Sequence, residues 1–81
     1  MEKQAIFGLL KNNIQLVLPH IAEADINLTI SLEDLGANSI DRSDILVLML
    51  TDLSSDVPMV EFANTDDIGE LIDRFHKKLA T

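Results

Sequence analysis

Apolar residues recur at spacings of three and four near the start of the chain. Ala5, Ile6, Leu9, Leu10, Ile14, Val17 and Leu18 form one stripe, and that period predicts an amphipathic helix over residues 2–18. Asn13 interrupts the stripe, and Gly8 costs about 1 kcal/mol relative to alanine inside a helix. This helix should therefore depend on tertiary packing. Pro19 biases Leu18 away from helical geometry and ends it. In the connection 19–38, Ile21, Ile26, Leu28, Ile30, Leu32 and Leu35 are too frequent for a solvated loop. The connection should pack over the helices as an ordered segment, with a short helical turn as an option. The alternation over 26–30 would suit a strand, but no second strand exists to pair with it.

Residues 39–54 read as the second helix. Ser39 is placed to cap it, and Asp41 lies in the first turn, where a negative charge suits the helix dipole. The core stripe is expected at Ile40, Leu46 or Val47, Leu50 and Leu53, widened beyond one face by Ile45, Leu48 and Met49. Polar residues bracket this apolar run within a window of helical length, which predicts a helix buried on most sides. Ser54-Ser55-Asp56 before Pro58 marks a turn, and residues 59–63 have room for a short helical piece. Thr65 is expected to cap a last helix, with Asp66 and Asp67 in its first turn, Lys77 and Lys78 in its last, and Ile68, Leu71, Ile72, Phe75 and Leu79 on its apolar face. The expected architecture is an all-α four-helix bundle with a long first loop and a short third helix, one domain over 1–81.

Composition narrows the function. A chain of 81 residues supports one core. The absence of cysteine excludes disulfides, thiolate metal sites and a protein thiol nucleophile. His20 and His76 are far apart and give no metal spacing, so no metal site is expected. The net charge of -8 is concentrated: residues 33–73 hold eleven acids and a single base, Arg42. Nucleic acid is a poor partner for such a surface. The acidity fits either a solvated face or a docking surface for basic partners, and charge alone leaves both open. The longest apolar run, 45–50, is too short to span a bilayer, and the first residues lack the pattern of a signal peptide. A cytoplasmic, monomeric protein with no membrane partner is expected.

The stretch Asp34-Leu35-Gly36-Ala37-Asn38-Ser39-Ile40-Asp41 carries the candidate chemistry. Gly36 permits a turn with positive φ. Ser39 enters a helix beside free backbone N–H groups and the positive end of the dipole, a location that favours a phosphate on the serine. A plain capping serine fits the same position. A hydrolase elbow would need glycine two residues after the serine, and a calcium loop starting at Asp34 would need glycine at Ser39 and glutamate at Ile45.

These residues resemble the acyl carrier protein family, and the resemblance extends over nearly the full chain. The family pattern is glycine, any residue, aspartate, serine, an aliphatic, aspartate at the start of the second of four helices; here it reads Gly36-Ala37-Asn38-Ser39-Ile40-Asp41. Pro58 sits where carriers commonly place a proline before the short third helix, and Ile68 opens the last apolar face at the expected distance. The resemblance implies that Ser39 bears 4′-phosphopantetheine through a phosphodiester, installed by a phosphopantetheinyl transferase. The arm would supply the thiol that the chain lacks. The protein would then catalyse nothing and deliver a tethered acyl group. Partner contacts are expected at Asp34, Asn38, Ile40, Asp41 and Arg42, and further along at Asp44, Ile45, Met59 and Glu61.

Three positions depart from the pattern. Asn38 replaces the aspartate before the serine. Ser43 stands at a usual core aliphatic. Arg42 puts a base on the recognition helix, either as a local ion pair with Asp41 or an i,i+4-type neighbour, or as a specificity mark that rejects some partners. The segments Asn38 to Ile45, Thr51-Asp52-Leu53 and Ile68 to Phe75 are most similar to stand-alone donor carriers of polyketide β-branching cassettes. That similarity implies a malonyl-loading acyltransferase, a decarboxylating ketosynthase-like enzyme that leaves acetyl, and an HMG-CoA-synthase-like enzyme that receives it. The start at Met1 and the end soon after the last helix suit a free-standing protein. Carriers for fatty-acid, cell-wall or nonribosomal peptide synthesis, and an acidic helical adaptor without a prosthetic group, are the alternatives. A groove for a long acyl chain would draw on Val47, Leu50, Met59, Val60 and Phe62; these are expected to be ordinary core instead, because a two-carbon cargo needs little shelter and predicts a tight interior with no sizeable cavity.

Overall fold

The computed structural model describes residues 1–79, so the last two positions of the expected 1–81 domain lie outside the described residues. The apolar stripe of the first segment folds into α1, Lys3–Val17, which buries Ile6, Leu10 and Ile14 completely. Pro19 stops it as expected, and the Leu18 N–H closes the last turn on the Ile14 carbonyl at 2.7 Å. Asn13, the polar interruption, is buried as well. Its Nδ2 donates to Asp52 Oδ2 at 2.9 Å and lies 3.2 Å from Met49 Sδ. The interruption is therefore a satisfied polar clip between α1 and the second helix, α2, Ser39–Asp52.

The connection is ordered and packed. It contains a 3-10 turn, Glu23–Asp25, and buries Ile26, Leu32, Leu35 and Ala37, although Leu28 stays exposed. The described residues contain no strand. The alternating 26–30 segment runs instead against the start of the last helix, α3, Ile68–Leu79: the Ile30 and Leu28 carbonyls accept from the Ile68 and Gly69 N–H groups, each at 2.9 Å. These are two of the four donors that a helix start leaves unpaired. A Cβ at Gly69 would stand 3.0 Å from the Leu28 oxygen, so a residue without one lets the loop come this close.

Three expectations are corrected. The described residues form three α-helices, not four. The expected third helix is a single 3-10 turn, Met59–Phe62, because Pro58 on one side and Asn64 at φ 60° on the other leave too few residues for α-helical bonding. At the start of α3 the cap is Asp67 rather than Thr65. Asp67 Oδ1 accepts from the Glu70 N–H at 2.8 Å, and Asp66 and Asp67 precede the helix instead of occupying its first turn.

The third correction concerns α2. It buries Ile45, Leu46 and Met49, while Ile40 and Val47 are 70% and 50% exposed, so it is not buried on most sides. A helix that is apolar almost all round specifies no unique inner face. Packing against α1 selects one here. α1 packs on both other helices, and the 3-10 turn at Met59–Phe62 contacts α2 and α3. Phe62 fills the junction and stacks on Phe75 with ring centroids 4.1 Å apart.

Candidate functional site

The loop before α2 is built to deliver one residue. Ser31 Oγ accepts from the Asp34 N–H at 2.9 Å, and the Leu35 N–H reaches the Ser31 carbonyl. Gly36 then adopts φ 94°, the positive value expected for a glycine turn, and Ala37 tucks under the loop with its N–H on the Leu32 carbonyl. Asn38 is extended, and from there the chain coils.

The cap is Asn38, not Ser39. Asn38 Oδ1 accepts from the Asp41 N–H at 2.8 Å, and Asp41 Oδ2 accepts from the Asn38 N–H at 3.2 Å, a reciprocal capping box. Asparagine caps a helix as well as aspartate does. The departure at Asn38 therefore leaves the helix start intact while removing a charge. Ser39 becomes the first helical residue, exposed, and its hydroxyl has no hydrogen-bond partner among the described residues. Loss of the box in Asn38→Ala should cost about 1 kcal/mol, read as a lower urea midpoint with an unchanged m-value.

Of the expected partner-facing residues, Asp34, Asn38, Ile40, Asp44, Met59 and Glu61 are exposed. Asp41 is half-buried, with its carboxylate engaged in the box. Ile45 is corrected: it is 0% exposed, lies in the core, and has no surface to offer a partner. Of the alternatives Leu46 or Val47 for the core stripe, the structure takes Leu46, and Val47 is on the surface. Beside it, Leu16 of α1 is exposed too, and Leu16, Val17, Leu48 and Val47 line a shallow depression edged by Asp41 and Asp44. Leu16 is an apolar residue that the α1 stripe leaves out, and the helical period sets it off the core face; that Val47 comes to lie beside it is a contact between two helices.

Arg42 pairs with neither Asp41 nor an i,i+4 neighbour. Its Nη1 lies 3.3 Å from Glu33 Oε2, tying α2 to the loop. With these side chains 39% and 79% exposed, such a pair contributes under about 1 kcal/mol. Arg42, Ser39 and Ser43 line one wall of an open groove of about 550 Å³ between α2 and the 3-10 turn at Met59–Phe62. Of the five residues named for a long-chain groove, Met59, Val60 and Phe62 line it, where ordinary core was expected, and Val47 and Leu50 do not. The space lies on the surface, with Leu46 and Phe62 at its core side. Ser43, at the position of a usual core aliphatic, is exposed on that wall and leaves no polar group buried.

A free, exposed hydroxyl in the first turn of a helix, beside an open groove, fits a phosphate-linked prosthetic arm. Among the described residues no group of three or more acids and histidines is placed to hold a metal ion, and no helix is long and apolar enough to cross a membrane.

Comparisons with known proteins agree with this geometry. The family model described as a phosphopantetheine attachment site matches residues 9–75. The polyketide biosynthesis acyl-carrier-protein AcpK of Bacillus subtilis (strain 168) is 38% identical over 79 residues, 98% of this chain and 96% of that protein. A chain in the crystal structure of the curacin biosynthetic pathway HMG synthase in complex with acetyl donor-ACP superposes with a TM-score of 0.87. It is 32% identical, over 93% of this chain and 96% of that one.

Proposed function

We propose that this chain, which belongs to the phosphopantetheine-attachment family of acyl carrier proteins, bears its arm on Ser39 and donates acetyl in polyketide β-branching. The observation that carries the reading is the Ser39 hydroxyl, exposed at the first turn of α2 and free of any capping bond. The donor role is supported by likeness to a chain from the HMG synthase–donor complex. When bound, phosphopantetheine supplies the thiol that holds the acyl group as a thioester, chemistry unavailable to a chain without cysteine.

The chain's own contribution is presentation. Asn38 and Asp41 fix the first turn of α2, so Ser39 meets a phosphopantetheinyl transferase with no internal contact to break. Exposed Ile40, Val47 and Met59 offer apolar anchors. Asp34, Asp44 and Glu61 are exposed as well, and their negative charge steers basic partner surfaces. Those partners are a malonyl-loading acyltransferase, a decarboxylating ketosynthase-like enzyme and an HMG-CoA-synthase-like enzyme, met in turn by a monomeric carrier in the cytoplasm. None of these steps requires a catalytic group from this chain.

Acetyl-loaded protein offered separately to a cassette HMG-CoA-synthase-like enzyme and to a fatty-acid ketosynthase tests the role. Transfer is expected to favour the synthase. Equal or preferential transfer to the ketosynthase would assign the chain to fatty-acid synthesis.

A further inference from the structure

Arg42 is the single base among residues 33–73, and it stands one turn after Ser39. Long side chains on a helix lean toward its N-terminus, over the preceding turn. Arg42 does so: its guanidinium reaches back to Glu33, and Arg42 and Ser39 line the same groove. That reach engages one Nη1 contact, and among the described residues no other hydrogen bond holds the side chain. Most of a guanidinium's five donors are therefore free.

A phosphodiester on Ser39 would place a negative charge in an acidic part of the chain, with Glu33, Asp34, Asp41 and Asp44 close in sequence. The helix dipole offsets part of that repulsion, and Arg42 is the one side-chain cation within a turn. Building on the assignment of the arm to Ser39, we propose that Arg42 anchors the root of the arm. Its guanidinium holds the phosphodiester oxygens of modified Ser39 while Glu33 braces it from the loop. Arginine suits the task because its planar fork matches phosphate with two parallel donors. The exposed Glu33 contact is weak enough to share. Anchored this way, the first bonds of the arm point along the groove wall formed by Arg42 and Ser43 instead of outward. Arg42 is then a positioning residue for cargo delivery, and the base in an otherwise acidic region has a role that a surface ion pair alone would not require.

The test uses the full chain, isotope-labelled, with and without the arm, as wild type, Arg42→Gln, Arg42→Lys and Glu33→Gln. Intact mass first establishes loading on Ser39. Loading is then expected to shift the Arg42 Nε–H resonance in the wild type and in Glu33→Gln. In Arg42→Gln the phosphorus-31 resonance should move and its relaxation should report a looser phosphate. Arg42→Lys, which keeps the charge and loses the fork, should fall between. The difference between wild type and Arg42→Gln should shrink in about 1 M salt, where the screening length is about 3 Å. A loaded protein whose Arg42 resonance stays put, with identical phosphorus relaxation in wild type and Arg42→Gln, overturns the anchor and leaves the carrier assignment standing. Absence of the arm from Ser39 overturns both, and the mass spectrum alone reveals it.

Discussion

Replacing Ser39 with alanine is expected to abolish loading completely while leaving the fold untouched. Incubated with a broad phosphopantetheinyl transferase and coenzyme A, the wild type should gain the mass of one arm and Ser39→Ala none. The alanine lacks the oxygen that would join the phosphate, and among the described residues no other serine shares its place at the free start of a helix beside the groove. Stability separates this result from simple unfolding. If Ser39 capped α2, its loss would cost about 1 kcal/mol. Because Asn38 and Asp41 form the box instead, Ser39→Ala should unfold at nearly the wild-type urea concentration. An arm that persists in Ser39→Ala, or a wild type that gains no mass, would sink the carrier reading in favour of an acidic adaptor.

The largest loss of stability is expected from Phe75→Ala. Phe75 is 1% exposed and stacks on Phe62 at 4.1 Å, so truncation removes a ring from the core and leaves its partner against a void. Such changes cost about 3–5 kcal/mol. At about 0.05–0.15 kcal/mol per residue, that is a large part of what an 81-residue chain holds. The melting temperature should fall by more than about 10 °C. The effect should extend to the groove, because Phe62 is the residue that seats the 3-10 turn of Met59–Phe62 against α3. Phe7 provides the contrast: it is half-buried, with the Lys11 ammonium 4.7 Å from its ring centre, and its truncation should cost much less. A Phe75→Ala loss below about 1 kcal/mol would show that the stack does not hold this end of the fold.

The elements legible in advance were those with strong local signals. The α1 stripe, the stop at Pro19 and the positive φ at Gly36 each depend on the residue itself or on neighbours three and four apart. The motif around Ser39 located the candidate site without any knowledge of packing. The cap at Asn38 was also within reach, since Asn38 and Asp41 have capping-box spacing. It was obscured because serine is equally good at that position, and the choice depends on where the Gly36 turn hands the chain over to the helix.

Other features had no local signal. Glu33 and Arg42 are nine residues apart across a loop, and the Leu28 and Ile30 carbonyls meet α3 only after the connection has folded over it. The exposed Val47 and the buried Ile45 are two residues apart on one apolar helix. Hydrophobicity alone ranks them alike, because a helix that is apolar on nearly every side has several faces of similar burial free energy. The sequence by itself thus determined that the chain is helical, where α1 ends, and where the candidate serine lies. The tertiary structure decided which side of α2 stays exposed, which acid holds Arg42, and which groove lies beside Ser39, because each is a contact between segments that local preference cannot choose.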